Sequence, residues 1–379
     1  MKKFLLVVVL LLLGLAGTLR LRYGGGAAFP NLLPAGTPLL TEIALEVVAE
    51  LPTPPGNIAV APNGRVFITL HPEARPQLKV VELVDGKPQA FPNMAFQTGE
   101  NERRFFRDVL SLRIDAQQRL WTLDNGGHGL HPGRLLAFDI ASGEVVHEFE
   151  FPRELAGLGS HLNDFNISPD GLFIYIADAS FFAKTPALVV YDVQARSARR
   201  LLECHPSVTA EQYTPVVKGR RMSVLGLVDV RPGVDSIALD KQGEWLYYAP
   251  VTSTRLYRVR AADLRDQKLS AAELAARVET YAAKTMSDGL TMDLAGNIYL
   301  TDLEHSALVL LKPDRSLQTL LQSERLRWPD GLSFGPPGWL YLSCSSLQDV
   351  IGKPSSSVRE HAPYQVFRLR PGFESLAGQ

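Results

Sequence analysis

Six copies of one short pattern run down this chain and constrain its fold more than any other feature. Each copy opens on a small or acidic residue, continues as an alternating apolar stretch, turns, and ends in an apolar or aromatic strand. They read GNIAVAPNGRVFIT from Gly56, LSLRIDAQQRLWTL from Leu110, NDFNISPDGLFIYIAD from Asn163, DSIALDKQGEWLYYA from Asp235, DGLTMDLAGNIYLTD from Asp288 and DGLSFGPPGWLYLS from Asp330. Their openings lie 54, 53, 72, 53 and 42 positions apart. Repeats of this period built from short strands specify a propeller or a solenoid.

The turns carry Pro62-Asn63-Gly64, Pro169-Asp170-Gly171, Gln242-Gly243, Ala295-Gly296 and Pro336-Pro337-Gly338, residues that accept hairpin-turn geometry. The second strands place Phe67, Trp121, Tyr175, Tyr247-Tyr248, Tyr299 and Tyr341 on half-buried, pleated positions. Two further strands follow in most units, as in Arg134–Phe149 and Ala187–Leu202. A four-stranded meander is one propeller blade. The opening strand Glu42–Leu51 and the last strand Tyr364–Arg370 each lack a complete blade, so sharing one blade would close the ring and remove its open edges. The expected fold is all-β: one six-bladed propeller over 42–370, with a C-terminal tail at 371–379.

Before it, Lys2 and Lys3 precede an apolar run from Phe4 to Leu19, closed by Arg20 and Arg22. This reads as a signal peptide or a signal anchor over 1–22, followed by a Gly- and Pro-rich linker over 23–41. Small-x-small sites at Gly14–Ala16 and Gly26–Ala28 permit cleavage. The body is expected to be exported, periplasmic or extracellular, touching a membrane only through this segment if it is retained. The formal net charge of −1 among 379 residues gives no overall field for nucleic acid. Cys204 and Cys344 either pair in an oxidising compartment or stand as separate thiols.

Two insertions break the period. Glu203–Gly233 lengthens one interval, and connections this long often carry function. Ala261–Ala276 reads as a short amphipathic helix with Ser270 as N-cap and Glu273 completing a capping box.

First strands line a propeller's central channel. The opening residues Gly56, Leu110, Asn163, Asp235, Asp288 and Asp330 are therefore expected at one mouth. Three converging carboxylates repel unless they are protonated or meet a cation. Oxygen ligands suit Ca²⁺ or another divalent cation of that kind. A polar ligand pocket without metal, or turn chemistry at each Asp, are the other readings. The candidate metal set is Asn163, Asp235, Asp288 and Asp330, and no organic cofactor is implied. His161, Asn163, Arg107 and Asp330 are candidate contacts to a small-molecule ligand. Asp164, the only acidic residue at a second position, is a candidate general base, with a surface turn as the plain alternative. Arg103, Arg104 and Arg107 flank Phe105-Phe106 and would meet an anionic group or merely line a solvated loop. His128 and His131 in a Gly-rich loop fall short of a defined zinc site. No nucleophile elbow, Walker loop or dinucleotide fingerprint is present.

The runs SHLNDFNISPDGLFIYIADAS, GVDSIALDKQGEWLYYAPVTSTRLYRV, MSDGLTMDLAGNIYLTDLEHSAL and WPDGLSFGPPGWLYLS, with RLWTLDNG at Arg119–Gly126, resemble the major royal jelly and yellow protein family. The resemblance covers about Glu42 to Arg370. It implies a six-bladed propeller, export, and a small-molecule pocket at the channel mouth. Some insect members are associated with dopachrome conversion, and some salivary members bind biogenic amines. The more distant gluconolactonase and senescence-marker propellers share the register. Their resemblance implies a divalent metal held at the positions of Asp235 and Asp288 and a substrate contact at Asn163. Their metal-binding Glu falls on Gly56, a departure that puts lactone hydrolysis in doubt, with Asp330 as a compensating ligand from the other side. The functions expected are small-molecule binding, a metal-dependent lactonase or a dopachrome-type tautomerase, or a non-catalytic interaction scaffold.

Overall fold

A computed structural model describes residues 1–99 and 104–378. Arg103 lies outside them. Six four-stranded antiparallel sheets radiate from one axis. Their inner strands are Pro55–Val60, Val109–Ile114, Leu162–Ile167, Val234–Leu239, Ser287–Met292 and Pro329–Gly335, numbered here as blades 1 to 6. Each packs on the next, and the last packs on the first. Blade 6 takes its outermost strand, Glu46–Leu51, from the N-terminal side, where it pairs with Tyr364–Leu369. The shared blade expected from sequence is thus the ring closure.

Between each pair of neighbouring blades lies an apolar cluster, such as Trp121, Leu135, Phe165 and Tyr191 between blades 2 and 3. The second-strand aromatics Phe67, Trp121, Tyr175, Tyr248 and Tyr299 are buried in these seams. Burying such side chains stabilises each seam by roughly 2 kcal/mol apiece.

One irregularity recurs in every blade. The first inner-strand pairing breaks register near the mouth, between Pro55 and Ile58, Val109 and Ser111, Leu162 and Phe165, Val234 and Ser236, Ser287 and Leu290, and Pro329 and Leu332. A bulge leaves backbone groups unpaired and re-aims side chains. Buried hydroxyls take up the slack. Thr69 Oγ1 accepts from Asn57 N at 2.9 Å and donates to the Leu110 carbonyl of blade 2 at 2.8 Å. Ser343 Oγ accepts from Gly331 N at 3.1 Å and donates to the Gly56 carbonyl of blade 1. At Gly289 a Cβ would stand 1.8 Å from the Asp330 carbonyl oxygen, and at Gly331 it would stand 2.8 Å from Asn57 Cα. The Asp-Gly pairs that open the last two copies therefore reflect close approach of neighbouring strands.

Both ends of the channel are covered. The 203–233 insertion crosses the mouth as two small hairpins, Val216–Val217 with Arg220–Arg221 and Ser223–Val224 with Val228–Asp229. It is tied to blade 5 by Val216 N donating to Glu304 Oε1 at 2.6 Å, and to the 347–351 loop of blade 6 by Arg220 Nη2 donating to the Ile351 carbonyl at 2.9 Å. At the far end the tail is fastened to blade 5 by Ser375 Oγ donating to the Met292 carbonyl and to blade 6 by Gly378 N donating to the Phe334 carbonyl.

One sequence expectation needs correction, and the structure adds detail to two others. The 261–276 segment is two short helices, Ala261–Arg265 and Ala271–Ala275, although the second keeps the Ser270–Glu273 capping box. The 23–41 stretch does not run free of the body: Ala27 bridges Tyr213, and Leu40 bridges Leu321. Cys204 is exposed, Cys344 is buried, and both are free.

Replacing Thr69 by Val keeps the shape but strands the Asn57 N–H and the Leu110 carbonyl. The expected loss is about 1–3 kcal/mol, read as a lower urea midpoint at unchanged slope. An unchanged midpoint would show that the hydroxyl does not serve the bulge.

Candidate functional site

The bulges decide which side chains reach the channel. In a regular strand successive residues face opposite ways. Here Asn163 and Asp164 are consecutive, yet both line one cavity of about 350 Å³ under the cap. Asp235, Asp288 and Asp330 line it too, from blades 4, 5 and 6, and Asn57 lines it from blade 1. The wall above is built by His71, His128 and His161 from blades 1 to 3, by Phe181 and Phe182, by Trp328 and Leu347, and by cap residues including Val224, Val228 and Val230.

Charges are distributed unevenly. Asp164 accepts from Asn57 Nδ2 at 2.6 Å. Asn57 Oδ1 in turn accepts from Arg113 Nη1 at 2.5 Å, and Arg113 Nη2 lies 3.9 Å from Asp164 Oδ2. Asp235 accepts from the Asn163 amide. Asp288 Oδ2 accepts from the indole Nε1 of Trp328 at 2.5 Å. Lys284, fully buried, spends its ammonium protons on the Val251 and Thr285 carbonyls at 3.0 and 3.1 Å and on Ser287 Oγ at 3.3 Å. None of Asp235, Asp288 and Asp330 makes an ion pair within 4.0 Å among the described residues.

Burial drives the titration of this floor. It lifts the Asp164 carboxyl above the usual carboxylate range, against the pull of Arg113. Asp235 and Asp330 rise well above that range, through burial first and the Asp288 charge second. Burial lifts Asp288 to about 6, with the Trp328 hydrogen bond working against it. Lys284 falls to about 7 because burial disfavours its ammonium form. On the opposite wall burial holds His71 at about 4 and pushes His161 well below the imidazole range. His128 is lowered too, its Nδ1 is buried without a partner, and its ring sits 4.4 Å from that of His161. The cavity therefore combines the Asp164, Asp235, Asp288 and Asp330 carboxyls of blades 3 to 6 with neutral imidazoles from blades 1 to 3.

Of the sequence candidates, Asn163, Asp164, Asp235, Asp288, Asp330 and His161 come together. Asp164 is 7% exposed, which rules out the surface-turn reading. Arg107 does not join them: it stacks on Phe105 at 4.3 Å and faces a separate recess lined by Gln97, Asp108 and His131. Arg104 pairs with Glu148 outside the cavity. Asn57, His71, Arg113, Lys284 and Trp328 escaped the sequence reading. A lone charge in an apolar run was the available signal for Arg113 and Lys284.

Among the described residues no group of three or more His, Cys, Asp or Glu side chains stands at metal-holding spacing. Gly56 offers no room for a further ligand, since a Cβ there would stand 2.6 Å from Thr69 Oγ1.

A buried carboxyl lifted from its unfolded value of 3.8 to about 6 favours the fold only while protonated. Its burden is absent below about pH 4 and complete above about pH 6. Asp288→Asn keeps an acceptor for Trp328 and removes that burden. The variant should gain about 1–3 kcal/mol over wild type at pH 8, the difference shrinking to nothing by pH 4. Urea midpoints across that range check it; a pH-independent difference would contradict the assignment.

Comparison with known proteins agrees with this architecture. The sequence profile of the major royal jelly protein family matches residues 108–348. Major royal jelly protein 1 of Apis mellifera is 25% identical over 252 residues, covering 62% of this chain and 55% of that protein. Major royal jelly protein 9 of the same bee is 23% identical over 273 residues, covering 68% and 62% respectively. The chain thus matches little more than half the length of these relatives. Among solved structures, the calcium-binding protein regucalcin from Agrobacterium tumefaciens superposes with a TM-score of 0.57 at 15% identity, covering 90% of this chain and 99% of that one. A putative gluconolactonase superposes with a TM-score of 0.55 at 15% identity, covering 93% and 99%. At that identity the likeness extends to the fold alone. With the profile spanning well over half of its length, the chain belongs to the major royal jelly protein family.

Proposed function

We propose that this protein binds a small organic cation, an amine with an apolar or aromatic body, in the cavity at the channel mouth. The observation that carries the reading is the unbalanced floor. Four carboxyl groups face the cavity, Asp164, Asp235 and Asp288 buried and Asp330 half-buried. Of the two buried cations near them, Arg113 pairs only with Asp164, and Lys284 gives its protons to carbonyls and Ser287. Asp235, Asp288 and Asp330 therefore have no ion pair among the described residues. Carboxylates whose proton affinity is raised by burial and by one another gain most from a ligand that brings positive charge. The walls supply the rest. Phe181, Phe182, Trp328, Leu347 and the cap valines suit an apolar body, and a cation beside an aromatic face is further favoured. The volume is at the small end of the ligand-site range.

A bare divalent cation would meet the same charge, and the regucalcin-like fold makes it a natural competitor. The absence of a clustered ligand set among the described residues, with the filled position at Gly56, favours the organic cation. A second reading, isomerisation by proton transfer, is supported by Asp164. Its carboxyl lines the cavity, accepts from Asn57 and is lifted by burial towards a working range for acid–base chemistry. An interaction scaffold finds less support, because the polar groups point into a covered cavity.

Calorimetric titration with tyramine, putrescine, 4-hydroxyphenylpropionate and Ca²⁺ separates these readings. Tyramine should bind saturably, with putrescine weaker for want of a ring and the carboxylate analogue silent. Asp235→Asn should weaken tyramine at least tenfold, a loss of about 1.4 kcal/mol. Affinity should also fall as pH drops from 7 towards 5, as Asp288 takes up its proton. Ca²⁺ binding without amine binding would overturn the proposal in favour of a metal site. Conversion of a bound aromatic substrate, lost in Asp164→Asn, would establish the isomerase.

A further inference from the structure

The N-terminal helix leaves the body at the rim of the cavity. Lys2–Tyr23 spans 22 residues, with mean hydropathy 2.5 in its most apolar stretch and none of that stretch buried in the protein. At 1.5 Å per residue it is about 33 Å long, enough for the roughly 30 Å hydrocarbon core of a bilayer. Its inner end carries Lys2 and Lys3, the sign expected on the cytoplasmic side. Its outer end is fixed to the body. Arg20 Nη1 donates to the Gly226 carbonyl at 2.7 Å, Arg22 Nη2 to Ala183 at 3.0 Å, and Tyr23 Oη to Phe182 at 2.8 Å. Arg231 Nη2 donates to the Tyr23 and Gly24 carbonyls, both at 2.9 Å. Gly26 N donates to Asp229 Oδ2 at 3.0 Å. These partners belong to the cap and to the loop that supplies Phe181 and Phe182 to the cavity wall.

The surface around that exit is unusually apolar for one facing water. Leu225 is 89% exposed at the tip of a cap hairpin, and Leu158 is 73% exposed. Leu130 and Phe182 are exposed as well. Leu130 and Leu158 sit in adjoining mouth-side loops, joined where Gly159 N donates to the His128 carbonyl at 2.8 Å. Basic side chains punctuate this rim: Arg20 and Arg22 at the helix end, Arg153 beside Leu130, Lys184 beside Tyr23, and Lys353 beyond Gly352. Apolar tips ringed by cations match the interface of a bilayer containing anionic lipid.

We propose that the mouth-side face of the propeller lies on the membrane, held there by the Lys2–Tyr23 helix, with Leu130, Leu158, Phe182 and Leu225 seated in the lipid headgroup region. The attachment at Arg20, Arg22 and Tyr23 makes this one oriented contact, in place of a loosely tethered domain. It does not depend on the identity of the cavity's ligand. Together with the amine reading, it sets the ligand's route along the interface, where amphiphilic amines concentrate.

The test uses the full chain in nanodiscs of zwitterionic and anionic phospholipid, some of it bearing a nitroxide near the headgroup. In a Cys204→Ser background, Leu158→Cys, Leu225→Cys and, on the turn at the opposite end, Asn63→Cys each receive a fluorophore. Labels at 158 and 225 should be quenched roughly twofold or more, as expected for groups about 5–10 Å into the interface, while the label at 63 is untouched. Adding Leu225→Glu should reduce quenching at 158. Equal, weak quenching at all three positions would overturn the proposal by leaving the face in water. Quenching at 63 alone would overturn it by turning the opposite end to the lipid. Neither result would alter tyramine affinity in detergent, so this inference and the ligand proposal fail separately.

Discussion

The bulge at the mouth end of every inner strand is the constraint on which the rest of this protein depends. A propeller brings six strands to one axis, and a regular pleat would show the mouth only alternate residues. Breaking the pleat lets neighbours such as Asn163 and Asp164 face the same cavity. The cost is unpaired backbone deep in the protein, and buried groups from adjoining strands meet it. Thr69 reaches blade 2, Asn166 reaches the Ile237 carbonyl of blade 4, Ser236 reaches the Asp288 carbonyl of blade 5, and Ser343 reaches back to blade 1. The groups that repair the bulges therefore also staple blade to blade.

The electrostatics follow from that geometry. Once four carboxyl groups are carried into a covered cavity, burial raises the proton affinity of all four, and repulsion from neighbouring carboxylates adds to it at Asp235, Asp288 and Asp330. The protein supplies only partial compensation. Arg113 serves Asp164 through Asn57, and Trp328 serves Asp288 with a neutral donor. What remains is a floor of partly compensated carboxyl groups beneath largely apolar walls. The neutral histidines of blades 1 to 3 add no positive charge, because burial disfavours their cationic forms.

The cap and the N-terminal segment extend this arrangement outward. The 203–233 insertion closes the mouth and is itself clamped by residues 20–27. The N-terminal segment, the cap and the cavity wall form one connected structure, so the chain that follows the apolar helix also borders the cavity.

Much of this was written plainly in the chain. Six copies dictated six blades, because each unit must bury both faces of its sheet against a neighbour. The orphan strands at 42–51 and 364–370 dictated closure, because an open edge is costly. The opening residues of the copies marked the mouth, and five of those six, Leu110, Asn163, Asp235, Asp288 and Asp330, do line the cavity. What periodicity could not reveal is whatever depends on contacts between distant segments. Asn57 and Asp164 reach the cavity through bulges that alternation of side chains cannot foresee. Gly56 reads as a missing ligand, yet its position is filled by Thr69 of the next strand. Arg107 sits near the mouth in sequence but is turned aside by stacking on Phe105. The docking of Arg20 on the cap and of Arg22 and Tyr23 on the loop that carries Phe182 and Ala183 leaves no local trace. Local pattern determined the number, order and polarity of the strands, since these follow from each strand's own need to bury one face. The tertiary structure alone decided which side chains share a cavity, because that depends on where separate blades bring their backbones together.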